Sequence, residues 1–309
     1  MTVTRHVNEH WSTNDIPDLK GKVIIVTGGN NGLGLESVKA FAQKGAEVII
    51  ACRDVNRGEG ARFEIGIVSG KIIIMPIDLQ DLSSVRDFAE EFKKKYKRLD
   101  VLLNNAGIMT TPYFLTRDGL EGQMGTNHFG HFALTGHLLS LIKKTPGSRV
   151  VNVSSLAHKR GKMDFSNLRF KNGKGYSPLR SYSRSKLANL LFTYELQRRF
   201  ETNKIESISV ASHPGISRTD LDRHIKDQFW FKMQKPFLKL YSQDQKMGAL
   251  PQIRAAVDPN VKGGEYYGPH KGIMGYPVIV KSSEESHNEE DARELWKRSE
   301  KITGVKYEF

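Results

Sequence analysis

The sequence predicts one α/β domain built on a doubly wound parallel sheet with helices on both faces. Three observations predict this class. From residue 22 onward, short apolar runs rich in β-branched residues alternate with longer segments of helical periodicity, the arrangement that gives right-handed βαβ crossovers. The first apolar run leads straight into a glycine-rich turn. No linker-like change of composition and no repeat of about 20–50 residues divides the chain.

The apolar runs are predicted as buried strands because each is too short for an isolated helix. They are VIIV (23–26), EVIIA (47–51), IIIMPI (72–77), VLLN (101–104), RVVNV (149–153) and SISVAS (207–212). We expect about seven strands in all, as in other doubly wound sheets. Helical periodicity predicts helices near 33–44, 55–68, 82–97, 119–144 and 180–201.

The composition limits the classes of function. The formal net charge is +13, but Lys and Arg are scattered and no recognition-helix, finger or RNA-binding signature appears, so we expect no nucleic-acid partner. A single cysteine, Cys52, excludes an internal disulfide and a cysteine pair for zinc, which fits a reducing cytosol. No signal-like stretch or run of about 20 apolar residues is present, and we expect a cytoplasmic protein without a transmembrane segment. His128 and His131 indicate packing rather than metal ligation, and no metal site is expected.

The glycine turn has the context of a phosphate cradle. A strand runs into Thr27-Gly28-Gly29-Asn30-Asn31-Gly32-Leu33-Gly34, and a helical pattern follows. Glycines let the backbone approach a pyrophosphate, whose charge then lies on free helix N–H groups. The spacing is G-x-x-x-G-x-G instead of the general G-x-G-x-x-G, so the turn alone does not establish a dinucleotide site.

Further motifs occur in order along nearly the whole chain, from about residue 19 to 307. Asp78-Leu79 closes the third strand, Asn104-Asn105-Ala106-Gly107 follows the fourth, and His213-Pro214-Gly215 ends the sixth. Together with the T-G-x-x-x-G-x-G turn, they make the chain similar to the short-chain dehydrogenase/reductase family, which has a Rossmann-like fold. The resemblance implies a nicotinamide cofactor held by Gly28, Asn30, Asn31, Gly32, Leu33, Gly34, Arg53, Asp78, Leu79, Asn105, Ala106, Gly107, Tyr182, Lys186, Pro214, Gly215, Ile216 and Thr219.

The end of the second strand indicates which nicotinamide cofactor is preferred. NAD-specific folds place an acidic side chain there, which would repel a 2′-phosphate. Here the position is Cys52, followed by Arg53, whose guanidinium can clamp a phosphate. We therefore predict NADP(H). NAD(H) stays possible because a shift of one residue would bring Asp54 to the site.

Two Tyr-x-x-x-Lys pairs compete as the catalytic motif. Tyr267 precedes Lys271, but Gly268 and Pro269 between them favour an extended backbone, which separates residues four apart by about 13 Å. Tyr182 instead begins a helical pattern that puts Lys186 one turn further on the same face. A nearby ammonium and the oxidised nicotinamide both favour the phenolate, so Tyr182 is predicted as the general acid and base.

The resemblance supplies two more catalytic positions. "VVNVSSLAH" contains Ser154 and Ser155, and the family alignment selects Ser155 as the hydroxyl that hydrogen-bonds the substrate oxygen. The segment between Ser155 and Tyr182 resembles an insertion of the retinol-dehydrogenase-like branch. Asn127 matches the family asparagine whose main-chain carbonyl holds a proton-relay water near the lysine.

The predicted function is an NADP(H)-dependent oxidoreductase that interconverts an alcohol and a carbonyl on a small, lipophilic molecule. The alternatives are a C=C reductase related to protochlorophyllide reductase and a non-catalytic NADP(H)-sensing protein. We expect an N-terminal extension (1–18), a catalytic domain (19–280) with a substrate lid near 216–245, and a C-terminal tail helix (281–309) packed on the domain. The aromatic stretch 229–241 suits a substrate lid, a subunit contact or a peripheral membrane patch. By analogy with relatives, a homodimer or homotetramer is expected.

Overall fold

A computed structural model of the protein describes residues 10–216 and 243–309. In these ranges the chain forms one eight-stranded sheet with the strand order β3-β2-β1-β4-β5-β6-β7-β8. The strands are β1 (Val23–Thr27), β2 (Glu47–Cys52), β3 (Lys71–Pro76), β4 (Val101–Asn104), β5 (Arg149–Val153), β6 (Ile208–Ser212), β7 (Tyr266–Pro269) and β8 (Pro277–Ile279). Neighbouring strands are parallel except β7 and β8, which are antiparallel. The predicted doubly wound α/β fold is confirmed.

The α-helices of the described ranges are α1 (Gly32–Gln43), α2 (Val55–Ile65), α3 (Leu82–Lys95), α4 (Gly122–Met124), α5 (Gly130–Lys144), α6 (Pro178–Thr202), α7 (Gln245–Val257) and α8 (Glu289–Thr303). Two hydrophobic cores lie on opposite faces of the sheet. Side chains of α1, α2 and α7 form one core with the strands. Side chains of α3, α5, α6 and α8 form the other. Trp296, Val305 and Tyr307 of the C-terminal segment belong to this second core.

The six predicted strands agree with β1–β6 to within a residue or so at each end. Strands β7 and β8 were not identified individually, because Gly268-Pro269 is a turn signal and β8 has only three residues. They extend the sheet beyond the expected seven strands. Tyr267 lies on β7 and Lys271 in the turn that follows it, so the two do not share a helix face.

The helix predicted over 119–144 differs from the structure in two ways. It begins at Gly122, because the carboxylate of Glu121 accepts hydrogen bonds from the N–H groups of Gln123 and Met124, each at 2.9 Å. It is also interrupted by a π-helical segment, Gly125–Phe129, between α4 and α5. Hydrophobic periodicity carries no signal for such an irregularity, although π segments are frequent at functional sites.

Candidate active site

The candidate site lies at the carboxyl edge of the parallel strands. Gly28 follows β1 with φ +65°, and an added Cβ there would lie 3.2 Å from Cα of Ala106. Gly34 lies in the first turn of α1, where an added Cβ would collide with the carbonyl oxygen of Gly28 and lie 2.6 Å from Nδ2 of Asn105. Gly32 begins the helix at φ +57°. Gly28 and Gly34 bring the turn, the N-terminus of α1 and the end of β4 together at a separation that side chains would prevent, whereas Gly32 supplies the positive φ.

The hydroxyl of Thr27 connects the glycine turn to the segment after β4. Its Oγ1 accepts hydrogen bonds from the main-chain N–H groups of Asn105 (2.9 Å) and Ala106 (3.0 Å). Nδ2 of Asn105 in turn donates to the carbonyl oxygen of Thr27 at 2.8 Å. Oδ1 of the same asparagine accepts from Nε2 of Gln252, a buried residue of α7. The predicted cofactor residues of β1 and β4 are thus held as one unit.

Three consecutive residues at the end of β2, Cys52, Arg53 and Asp54, have different environments. Cys52 is buried, and burial raises the pKa of its thiol to about 11, so it is a packing residue. Asp54 is the N-cap of α2, where its side chain accepts from the N–H of Arg57 at 3.1 Å. Arg53 is exposed. The carboxylate of Asp54, which was the reason for keeping NAD(H) open, therefore caps α2.

The remaining predicted cofactor residues that precede α6 in the chain surround this edge. Asn30 and Asn31 are half-buried in the turn, and Leu33 is buried in α1. Asp78 follows β3 and accepts through Oδ1 from the N–H of Gln80 at 3.0 Å. Leu79 is buried beside it, and an added Cβ on Gly130 of α5 would lie 2.6 Å from the carbonyl oxygen of Leu79.

Lys186 is buried on α6 with its ammonium group directed at the end of β5. Its Nζ donates to the carbonyl oxygen of Val153 at 3.0 Å and lies 5.7 Å from the ring centroid of Tyr182. Burial lowers the pKa of Lys186 to about 8. An added Cβ on Gly107 would lie 3.6 Å from this Nζ, so the segment after β4 also reaches the lysine. The sequence-predicted pair therefore lies on one helix at the expected edge of the sheet.

Asn127 is fully buried within the π-helical segment. Its side chain binds both main-chain groups of Ile108, accepting from N at 2.8 Å and donating to O at 2.9 Å. It also donates to Oγ of Ser185, one residue before Lys186, at 2.9 Å. Asn127 thus ties α6 to the segment after β4, and its main-chain carbonyl oxygen lies 3.1 Å from Nδ1 of His131.

His131, which the sequence predicted only as a packing residue, contacts both Thr27 and Asn127. Both lone pairs of Thr27 Oγ1 accept hydrogen bonds from main-chain N–H groups, so this oxygen can contact His131 only by donating its own proton. Nε2 of His131 lies 2.9 Å away, and the other acceptor within reach, the Leu103 carbonyl, is more distant at 3.3 Å. Nε2 is then the acceptor, and Nδ1 carries the proton that it donates to the Asn127 carbonyl. Burial lowers the pKa of His131 to about 4, which keeps the ring neutral. Its spacing of one helical turn after Asn127 was the available signal.

The two serines after β5 have different environments. Ser154 is buried, and its Oγ donates to the carbonyl oxygen of Lys186 at 2.8 Å, which joins the strand end to α6. Ser155 is only half-buried and caps a short 3₁₀ helix, Leu156–Arg160. Its Oγ accepts from the N–H of Ala157 at 3.2 Å. This acceptor role leaves the proton of the Ser155 hydroxyl for another partner.

Arg184, a buried residue between Tyr182 and Lys186 on α6, was not predicted from the sequence. Arg184 donates to the carbonyl oxygens of Lys162 (3.2 Å) and Asn167 (2.8 Å), and its guanidinium lies 4.1 Å from the ring centroid of Phe170. All these partners belong to the segment between Ser155 and Tyr182. The active-site helix therefore holds that segment in place.

The turn after β6 contains the last described cofactor candidates. Pro214 precedes Gly215, which has φ +66°, and the N–H of Ile216 donates to the Ile273 carbonyl at 2.9 Å. Gln243 donates from its main chain to the carbonyl of Ile216, at 2.9 Å, and from its side chain to that of Pro214. The predicted cofactor residue Thr219, most of the expected lid and the aromatic stretch 229–241 lie outside the described residues.

Two general findings concern the described parts of the chain alone. Within residues 10–216 and 243–309, no cluster of three or more His, Cys, Asp or Glu side chains could hold a metal ion. Among the helices of these same ranges, none is long and apolar enough to cross a membrane.

Comparisons with known proteins identify the family. The family model described as short chain dehydrogenase matches residues 22–229. Retinol dehydrogenase 12 from Homo sapiens is 38% identical over 296 residues, covering 94% of this chain and 89% of the human protein. Retinol dehydrogenase 11 from Homo sapiens is 39% identical over 292 residues, covering 93% of this chain and 87% of that protein.

A solved structure agrees with these relatives. The crystal structure of an uncharacterized protein from Mycobacterium paratuberculosis is 38% identical, with a TM-score of 0.82, and the match covers 97% of this chain and 100% of that chain. The chain belongs to the short-chain dehydrogenase/reductase family of oxidoreductases, in its retinol-dehydrogenase-like branch.

Proposed function

We propose that the protein is an NADP(H)-dependent oxidoreductase that interconverts an alcohol and a carbonyl, with Tyr182 as general acid and base. The observation that carries the proposal is the pairing on α6. The buried ammonium of Lys186 lies 5.7 Å from the ring centroid of Tyr182, at the sheet edge where the glycine turn lies. A cation so close favours the phenolate form of the tyrosine, which brings proton transfer into the working range of pH.

The cradle fits a dinucleotide. Gly28 and Gly34 leave open the space that a Cβ would fill, and α1 begins at the turn with its first N–H groups free of helical partners. These groups would hold the pyrophosphate, while Asp78, Asn105 and Ala106 would lie along the adenosine side. When bound, the cofactor supplies the carbon that donates or accepts hydride.

Residues of the protein would transfer the proton and bind the substrate oxygen. Tyr182 would donate a proton to the substrate oxygen in reduction and remove it in oxidation. The Ser155 hydroxyl would donate to the same oxygen, since its acceptor position is already used by Ala157. The engagement of the Ser154 hydroxyl by the Lys186 carbonyl supports Ser155 as the one that contacts substrate. Asn127 would hold the Lys186 side of the site in position.

The preference for NADP(H) is supported by the end of β2. Asp54 caps α2 through one oxygen of its carboxylate, whereas Arg53, next to it, is exposed. A guanidinium binds phosphate through two parallel hydrogen bonds and gains little from a ribose hydroxyl. The arrangement thus favours a cofactor with a 2′-phosphate.

A lipophilic alcohol or carbonyl is the proposed substrate class. The relatives named retinol dehydrogenase 11 and 12 are 39% and 38% identical to this chain, and their names denote enzymes of an apolar alcohol. A cytoplasmic location, a homo-oligomeric state and a lid over 216–245 stay predictions from the sequence.

Replacing Tyr182 with Phe tests the proposal. Oxidation of NADPH is followed with a panel of lipophilic aldehydes and ketones, and cofactor affinity is measured separately by fluorescence titration. Tyr182→Phe should lower kcat by roughly 10²–10⁴-fold, the usual contribution of a general acid. Affinity for NADPH should stay within about threefold of wild type, because the phenol makes its contribution during the reaction.

The second Tyr-x-x-x-Lys pair provides a matched control. Tyr267→Phe also removes the hydroxyl of a buried tyrosine. This hydroxyl donates to the carboxylate of Glu265, the residue before β7. It should keep kcat near the wild-type value. If Tyr182→Phe turns over at the wild-type rate, Tyr182 is not the acid. If wild type binds NADPH tightly but reduces no carbonyl, the protein is a cofactor sensor instead of an enzyme.

A further inference from the structure

The carbonyl oxygen of Ser155 accepts two hydrogen bonds from a single residue. The main-chain N–H of His158 donates to it at 3.0 Å, and Nδ1 of the His158 ring lies 2.6 Å from it. A carbonyl oxygen has two lone pairs, so both are used. The peptide group that follows Ser155 is thereby fixed in orientation, together with the turn whose Ala157 N–H binds the serine hydroxyl.

The hydrogen bonds at both ring nitrogens of His158 require the same tautomer, and one of them comes from a distant part of the chain. Nε2 of His158 accepts a hydrogen bond from the main-chain N–H of Ser283 at 3.1 Å. An amide N–H can only donate, so Nε2 carries no proton and the ring proton lies on Nδ1. The ring is fully buried, and burial lowers the pKa of His158, which favours this neutral form.

The segment that contains Ser283 is itself anchored on the active-site helix. Oη of Tyr194, on α6, lies 2.8 Å from Oγ of Ser282. The ring of His287 stacks on Tyr194 with centroids 4.5 Å apart. Ser282 also lies 2.9 Å from Nε2 of His287. This stretch, Ser282–His287, lies beyond residue 229, where the match to the family model ends.

We propose that His158 is a positioning residue for Ser155, with its ring held in place by the main-chain N–H of Ser283. In this arrangement the C-terminal segment holds the imidazole, the imidazole holds the Ser155 carbonyl, and the serine hydroxyl is kept directed at the substrate oxygen. The inference rests on the proposed role of Ser155. The inference also makes catalysis depend on the segment Ser282–His287, which lies outside the part of the chain that the family model matches.

Two substitutions at His158 separate its two hydrogen bonds. Asn places an amide N–H where the imidazole has Nδ1, so His158→Asn keeps the donor to Ser155. Gln places its amide oxygen near the position of Nε2, so His158→Gln keeps the acceptor for Ser283. Both remove the same ring, which packs edge-on against Tyr266 with centroids 5.7 Å apart, so they are matched in lost packing.

The proposal gives the two variants different kinetics. His158→Gln should lower kcat by about tenfold, because a small displacement of a reacting group is costly. His158→Asn should stay within about threefold of wild-type kcat. Neither should change the KM for NADPH, and their melting temperatures should be similar. Equal kcat values for the two variants, or a lower kcat in the Asn variant, would overturn the proposal.

Substitution of Ser283 with Pro tests whether the Ser283 N–H holds the imidazole in place. Ser283 has φ −69°, which proline adopts, and the change deletes the one N–H that Nε2 accepts. Ser283→Pro should lower kcat by about threefold or more in the wild-type background and have no further effect in His158→Asn, which has no acceptor there. Additive effects of the two changes would show that Ser283 does not act through His158.

Ser155→Ala distinguishes failure of this inference from failure of the proposed function. If Ser155→Ala is inactive while the Asn and Gln variants behave alike, only the positioning role of His158 is wrong. If Ser155→Ala retains wild-type kcat, the proposed catalytic serine is wrong, and the positioning role is overturned with it.

Discussion

The ammonium of Lys186 and the carbonyl oxygen of Val153 are 3.0 Å apart, and this hydrogen bond joins the middle of the active-site helix to the end of β5. A second bond runs the opposite way, from Oγ of Ser154 to the carbonyl of Lys186. The strand that presents Ser155 and the helix that presents Tyr182 are thereby locked at one point. The buried ammonium of Lys186 therefore connects helix and strand and is also a candidate catalytic group. Burying this charge destabilises the folded state, and the destabilisation can be measured.

Lys186→Met should stabilise the protein at neutral pH while abolishing activity. Burial lowers the pKa of Lys186 to about 8, against about 10.4 for an unfolded lysine. Below pH 8 the folded state carries the full penalty of the buried charge. The unfolding free energy of the variant should exceed that of wild type by about 1–3 kcal/mol at pH 7. The Val153 carbonyl keeps a donor, Asn189, at 3.2 Å.

The pH dependence of this difference has a definite sign. Between about pH 8 and 10.4 the unfolded wild-type chain binds more protons than the folded one, so wild-type stability from this group rises with pH. The difference between variant and wild type should therefore shrink across this window, as measured by denaturant unfolding. Lys271→Met, at the exposed lysine of the second pair, is the control and should show no such trend. A difference that stays constant with pH would contradict the assigned shift.

Gly34→Ala should weaken cofactor binding and destabilise the fold. A Cβ at this position would collide with the carbonyl oxygen of Gly28 and approach Nδ2 of Asn105 to 2.6 Å, and neither backbone nor this bonded amide can move freely. We expect a loss of about 1–3 kcal/mol in unfolding free energy. The affinity for NADPH should fall at least about tenfold, measured by fluorescence titration, because the cradle widens.

The matched control is another helical glycine. Gly60 lies in α2 with open space around it, and Gly60→Ala should raise the unfolding free energy by about 0.5–1 kcal/mol through helix propensity. NADPH affinity should not change. Equal effects of the two alanines on affinity would show that the turn at Gly34 does not bind the dinucleotide.

Arg53→Ala should reduce the preference for the phosphorylated cofactor. Loss of the guanidinium should raise the KM for NADPH by about tenfold or more and leave the KM for NADH within about twofold. Steady-state kinetics with both cofactors measures the ratio. Arg62→Ala, in the last turn of α2 and paired with Glu59 at 2.6 Å, is the control with the same charge change. A parallel change in both KM values would refute a 2′-phosphate contact by Arg53.

Arg184→Met should loosen the segment between Ser155 and Tyr182. The variant loses hydrogen bonds to Lys162 and Asn167 and the contact with Phe170, while a methionine still fills the helix face. The segment carries several exposed Lys and Arg residues, so limited trypsin digestion followed by mass spectrometry reports its opening. Cleavage within 159–174 should become about tenfold faster than in wild type.

Arg180→Met is the comparison for this experiment. Arg180 is exposed, and its guanidinium donates to the carbonyl of Gly175 at 3.2 Å. Its loss should change cleavage little. If the two variants are cleaved at the same rate, the buried arginine does not hold the segment.

Much of the site was readable from sequence because it depends on local patterns. Gly28, Gly32 and Gly34 are spaced for one tight turn, and the step from Tyr182 to Lys186 is one turn of a helix whose apolar face is plain. Such features need only neighbours along the chain, and the structure places them at one edge of the sheet. The alternation of strands and helices likewise determined the fold class and the approximate bounds of β1–β6.

The tertiary structure decided what depends on residues distant in sequence. The bond from Ser283 to His158, the contact of Thr27 with His131, and the reach of Arg184 into the preceding segment join residues up to 125 positions apart. Neither hydrophobic periodicity nor motif spacing encodes such pairs, since each exists only after the sheet has brought its strand ends together. The sequence by itself therefore determined the fold and the candidate catalytic residues. Folding decided which neighbours orient them, because buried polar groups take the partners that packing leaves within reach.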